Sequence, residues 1–375
     1  MAKARTFADR PDAWVDVGQA WMRQLRNTSD SGYALHADAC AHVALEIAPD
    51  QARALGLSAQ VRLDAHEFAR AREIAESVLA REPADVGALG TLSDATLELG
   101  DVPAAIDAAQ RLLDLAPGLG AHARASYLRW LSGDEPGALE MARLAIDAAG
   151  DPHELDARAW ILVQTANLFW HRGDVEGAEA GYRMALDVRH EYAPALLGLG
   201  KAAIARERYR DAAEHLARAL AAHPDVETAA LLSAVLQQLN DAAGAAREAA
   251  RAEELGRHDR RAHALYLANQ RRDTPRAVEL ARAELKVRGD IYTEDALGWA
   301  LYANGELAEA EQHAERALRL GTRDAQLLYH RGAIQLALGK VAAGKASLEQ
   351  ALKQNPHFDR SGAADARRLL ERAGS

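Results

Sequence analysis

The sequence predicts an all-α protein built from stacked helix-turn-helix units, and three observations predict it. Nearly a quarter of the 375 residues are alanine while aromatic residues make up only 5%. That composition suits close helix-on-helix packing and builds β-sandwiches or barrels poorly. Pro49, Pro83 and Pro117 recur at an even interval of about 34 residues, each closing a helical stretch. Proline lacks the backbone donor and turns its predecessor away from the α region. A second mark falls between them: Gly100-Asp101, Gly133-Asp134, Gly173-Asp174, Gly305-Glu306 and Gly339-Lys340 each follow an apolar segment. Glycine just past a helix end takes the left-handed conformation at little cost.

The elements follow in order from these marks. Trp14, Val17, Gly18 and Trp21 share a first helix, and the stretch Arg26 to Gly32 reads as a longer turn before the second. Helices then end at Pro49, Pro83 and Pro117, and again at Pro224 and Pro356, after Ala219–His223 and Ala351–Asn355. Five residues beyond each glycine turn stands a small residue: Ala105, Ala138, Ala178, Ala310 and Gly344. Seven further on come Leu112, Ala145, Ala185, Ala317 and Ala351. Small side chains belong where helix axes approach to about 8–10 Å. Asp101, Asp134 and Asp174 are placed to cap the helix that follows each turn. The unit around 257–290 is degenerate, with Pro275 and no turn glycine, and Ser361 to Ala373 reads as a polar closing helix.

This pattern resembles the tetratricopeptide repeat, a helix-turn-helix unit of about 34 residues. The first-helix signature of that family is met at Trp14, Val17, Gly18 and Trp21, recurs at Leu196, Leu199 and Gly200, and is partly present at Leu297, Gly298 and Leu301. The second-helix signature is met by Ala178, Tyr182 and Ala185, and by Ala212, Leu216, Ala219 and Pro224. The resemblance implies a right-handed α-solenoid of about ten units. It divides into a divergent first repeat over 1–50, an array over 51–356 and a capping helix over 357–375. Asp290 to Tyr302, with Leu320 to Ala325 and Asn355 to Phe358, is similar to the carboxyl end of a widespread bacterial group of tetratricopeptide proteins of uncertain activity. Many of that group are exported or lipid-anchored.

Charge and composition narrow the function classes. A formal charge of −10 speaks against a nucleic-acid partner, which selects a basic face. No apolar run approaches the roughly 18–20 residues that span a bilayer, so no membrane insertion is expected. The amino terminus holds no apolar core of a signal peptide. The expectation is therefore cytoplasmic, or periplasmic or lipid-anchored if an export segment has been removed. Cys40 is the sole cysteine, which excludes an internal disulfide.

Motifs that carry chemistry are scarce. Gly198, Gly200 and Ala203 satisfy the GxGxxA form of a dinucleotide fingerprint, but without the preceding strand that its mechanism needs. Gly200 instead falls where a repeat requires packing. His36 and Cys40 share a helix face at i and i+4 while His42 points elsewhere, which reads as a partly buried thiol flanked by surface histidines. The expectation is a protein with no catalytic residues, no cofactor and no metal.

Binding energy is expected on the first helix of each unit, which lines the inner wall in this family. Tyr127, Trp130, Trp160, Asn167, Trp170, His171 and, one unit on, Lys201 fall there, as do Tyr292, Asp295, Trp299, Tyr302 and Tyr329 near the end. Four of the six tryptophans lie in this set. The competing assignment for each ring is core packing between helices. Tyrosine and tryptophan combine large contact area with a polar tip and dominate binding hot spots. The favoured function is a non-enzymatic scaffold, a monomer, that holds a peptide or protein partner in the concave groove through aromatic patches. The rivals are a self-assembling array, associating through its ends, and a small-molecule or glycan receptor using the same groove.

Overall fold

In the computed structural model the described residues are 9–28, 32–149 and 155–374. Among them the chain is all-α, with 21 helices and no strand. They divide into two compact units, one comprising Met1–Ala125 with Val287–Asp290, the other Ser126–Lys286 with Ile291–Ser375.

The first unit contains helical hairpins formed by α1 (Pro11–Thr28) and α2 (Gly32–Ile47), α3 (Ala52–Asp64) and α4 (Phe68–Leu79), and α5 (Val86–Glu98) and α6 (Val102–Leu115). Residues 29–31 of the expected first turn lie outside the described residues. The helix α7 (Leu119–Leu131) bridges the division in sequence. The second unit continues with α8 (Glu135–Ala148), α9 (Leu155–His171), α10 (Val175–Val188), α11 (Ala193–Ala205), α12 (Tyr209–Ala222), α13 (Val226–Gln238) and α14 (Ala242–Leu255). It ends with α15 (Arg260–Gln270), α16 (Thr274–Leu285), α17 (Ile291–Asn304), α18 (Leu307–Ala317), α19 (Ala325–Ala337), α20 (Val341–Gln354) and the closing helix α21 (Arg360–Gly374).

The turn inside each hairpin shows why the chain folds this way. Gly100, Gly133, Gly173, Gly305 and Gly339 all adopt positive φ, as their sequence positions predict. His66, Glu207 and Asn240 take the same left-handed conformation at equivalent places, so the repeat persists where glycine is absent. In the degenerate unit Arg271 and Asp273 do so, ahead of Pro275 in the first turn of α16. Asp101, Asp134 and Asp174 accept from the backbone N–H of Ala104, Gly137 and Gly177, satisfying donors that each new helix leaves open.

Packing within a hairpin depends on one small residue seven places before the left-handed turn. Glycine fills it at Gly200, where a Cβ would come within 2.6 Å of Leu216, and at Gly332, within 2.8 Å of Leu348. The GxGxxA match is thereby explained: it lies inside α11, with the Tyr182 ring covering Gly198. Ser93, Ser126 and Ser233 occupy the same place in other hairpins. Each buried hydroxyl donates to a carbonyl of the facing helix, Ala105, Ala138 and Ala245 respectively, at 2.8–3.0 Å. Serine is tolerated because its one added polar group is satisfied there. The alanines at the facing positions, among them Ala105, Ala138, Ala178, Ala212 and Ala310, are fully buried.

Candidate functional site

The left-handed turns give a common register for the first helices of the hairpins. Six residues before a turn stand Tyr127, Asn167 and Lys201 in three successive hairpins, and Trp299 further on. Thirteen before stand Trp160, Glu227 and Tyr292. Trp160, Gln164, Asn167 and His171 therefore follow one another along a single face of α9.

These residues separate sharply by exposure. Tyr127 and Trp160 are 42% and 40% exposed, on α7 and α9. Trp130, by contrast, is 2% exposed, and Trp170, Trp299, Tyr329 and Asp295 are buried as well. Their contacts lie within the second unit. The Trp130 indole stacks on His171 at 4.5 Å and its Nε1 lies 3.5 Å from the Tyr292 hydroxyl. Trp299 stacks on Tyr302 and on His330, donates to Asn269 Oδ1 at 2.7 Å and meets Tyr329 at 5.4 Å. The Asp295 carboxylate holds His330 Nδ1 at 2.9 Å, and the Tyr329 hydroxyl donates to Asp365. This second cluster is a core packed beneath α17, α19 and α21, and its polar tips are already partnered.

A third group, Asn167, His171 and Lys201, is only partly buried. Asn167 Oδ1 accepts from the buried Tyr182 hydroxyl at 2.8 Å, and burial raises that phenol. Lys201, its side chain 29% exposed, lies 2.5 Å from Glu227. Burial alone would lower the ammonium; Glu227, Asp225 and Asp359 outweigh it and raise it. His171 Nδ1 lies 3.6 Å from Asp324, the carboxylate that caps α19. The end of α20 and the residue after it meet the end of α9: Asn355 Nδ2 donates to the Trp170 carbonyl at 2.8 Å and Gln354 to that of His171 at 3.3 Å. The N-terminal histidines and thiol go separate ways. Cys40 is buried near Gly18, His36 lies against Trp21 and His42 pairs with Glu46.

A family model described as the tetratricopeptide repeat matches residues 57–119, 197–260 and 296–357, half of the chain. The chain belongs to the tetratricopeptide-repeat family. In fold it is similar to IFIT1 in complex with Gppp-AAAA, at TM-score 0.55 and 16% identity over 83% of this chain and 71% of that one. It is also similar to the APC/C hetero-tetramer Cut9-Hcn1, at TM-score 0.41 and 14% identity over 99% and 91%. A third likeness is to a thermophilic tetratricopeptide protein of Thermus thermophilus, at TM-score 0.40 and 23% identity over 48% and 99%. No curated protein matches the chain. As a tetratricopeptide-repeat protein it is a protein-interaction scaffold, on a fold that is typically non-enzymatic. No helix among the described residues is long and apolar enough to cross a membrane.

In this tetratricopeptide array Glu227, Asp324 and Asp359, the carboxylates that act on Lys201 and His171, are groups that sequence reading misses. Glu227 was legible in principle, thirteen residues before Asn240, but a left-handed asparagine does not announce a turn as glycine does. Asp324 and Asp359 reach the site from loops far along the chain.

One pH effect follows from this geometry. Burial, with Lys201 adding to it, lowers His171 below its ordinary value, against the opposing pull of Asp324 and Glu135. The unfolded chain then binds more protons than the folded one below a pH of about 6.5. His171 therefore contributes stability that is present above that pH and lost as the pH falls through it. His215 and His357 are lowered by burial too and act in the same direction. Urea midpoints taken between pH 7.5 and 5.5 should fall with pH, and the fall should be shallower in His171→Gln.

Proposed function

We propose that the protein binds a peptide segment of a partner on the inner face formed by α7, α9, α11 and α13. Tyr127 and Trp160 supply the apolar contact, while Asn167, His171, Lys201 and Glu227 supply polar groups for the ligand backbone. Trp130, Trp170, Tyr292, Asp295, Trp299, Tyr302 and Tyr329 act behind that surface, holding the helices that present it. The observation that carries this reading is the exposure of Tyr127 and Trp160. Solvated aromatic rings on the inner helices of a repeat array cost apolar exposure unless a partner covers them, and such rings dominate binding energy where one does. The remaining inner positions supply shape, and a rigid array limits the ordering entropy lost on binding.

Site-specific photo-crosslinking tests this reading. A photo-reactive phenylalanine at Trp160 should capture a discrete partner from the native host, and the same group at Met184, exposed on α10, should not. Equal capture at both positions, or capture at Met184 alone, would remove the inner face as the binding surface.

A further inference from the structure

We infer that the segment bound on this face is a basic peptide, one presenting arginine or lysine beside an apolar residue. The inference rests on the inner-face reading above and adds the partner's charge.

Two observations carry it. First, the polar part of the face has a surplus of carboxylate. The single ammonium of Lys201 is held by Glu227 and lies within the field of Asp225 and Asp359 as well. His171, one hairpin earlier, is acted on by Asp324 and Glu135. Glu227 remains 55% exposed beside its lysine, so a second cation can reach it. Asp225, Asp324 and Asp359 also cap α13, α19 and α21. Helix capping offsets part of their charge and fixes them in place. Two basic groups of this unit are already engaged: Arg189 pairs with Asp156 at 3.3 Å, and Arg360 donates to Gln238 and lies over Tyr209.

Second, the exposed rings stand where they can share that work. Lys201 and Glu227 occupy the sixth and thirteenth places before successive turns and touch. Tyr127 and Trp160 hold the same two places two hairpins earlier along the array, so they stand in the same diagonal relation. Asp156 lies one helical turn before Trp160 on α9, 47% exposed. A guanidinium or ammonium over an indole or phenol face, with a carboxylate at its edge, is stabilised by both. The protein's net charge of −10 favours the same encounter at long range. An acidic peptide would meet repulsion from every carboxylate named here.

The probe is a fluorescein-labelled peptide of repeated Arg-Gly-Leu triplets, with a counterpart carrying glutamate in place of each arginine. Both are titrated with the full chain and followed by anisotropy. The arginine peptide should bind and the glutamate peptide should not. Trp160→Ala and Glu227→Gln should each weaken binding about tenfold. Glu214→Gln, which removes an exposed carboxylate from α12, should leave it unchanged; circular dichroism checks that each variant is folded. Failure of the arginine peptide to bind overturns the inference, as does equal weakening by Glu227→Gln and Glu214→Gln. If the glutamate peptide binds and Trp160→Ala weakens it, the inner face stands and the charge assignment falls. If crosslinking at Trp160 captures nothing, the face itself falls.

Discussion

Trp130→Ala is expected to lower the stability of the second unit by about 3–5 kcal/mol, whereas Trp160→Ala should change it by less than about 0.5 kcal/mol. Both tryptophans belong to first helices of their hairpins, α7 and α9, and a sequence pattern treats them alike. Their surroundings do not. Trp130 is enclosed, stacked on His171 and reaching toward Tyr292 across 162 residues of chain. Truncation there removes a large buried apolar surface and leaves a cavity that the flanking helices, tied by their turns, fill only in part. Trp160 has solvent on much of its surface and little to lose. Urea denaturation followed by far-ultraviolet circular dichroism separates the cases. Equal midpoint shifts for the two variants would contradict the division between packing rings and open rings on which the proposed binding face depends.

That division marks the boundary of what the sequence carries. The hairpin is a local object, and its determinants repeat at fixed spacing: a left-handed residue, a small residue before it, an alanine after it. Gly173, Ala178 and Ala185 in one unit and Gly305, Ala310 and Ala317 in another are legible for that reason. Where a different residue performs the same duty, as with the left-handed Asn240 or the hydroxyl of Ser233, the unit is harder to see, although the geometry is preserved. Periodicity also places Trp130, Trp160, Trp170 and Trp299 on the first helices of their hairpins, as α7, α9 and α17 have them. It says nothing about what else arrives at that surface. Tyr292, Asp324 and Asn355 come from hairpins late in the chain, and no spacing in the sequence encodes their meeting with Trp130, His171 and Trp170. Such non-local contacts determine which side chains of these helices are enclosed and which stay exposed.

The glycine turns allow those non-local contacts to be weighed against local ones. Gly305→Ala should cost about 1 kcal/mol: its φ of 87° is unfavourable for alanine, but an added Cβ meets nothing within 4 Å. Gly133→Ala bears the same conformational cost, since φ there is 76°, and adds a collision. Its Cβ would stand 2.4 Å from the Gly321 carbonyl oxygen, a backbone atom that can yield only if the loop before α19 moves. Overpacking of this kind typically costs 1–3 kcal/mol, so about 3 kcal/mol in total is expected for Gly133→Ala. Displacing that loop also shifts Asp324, which faces His171, so the variant should alter exchange of the amides at the start of α19 while leaving those of α18 unchanged. Hydrogen exchange read by mass spectrometry, with Gly305→Ala as the matched control, resolves the two effects. Matching losses of stability in the two variants would mean that the turn at Gly133 bears only its own conformational strain and that the loop at Gly321 does not rest on it.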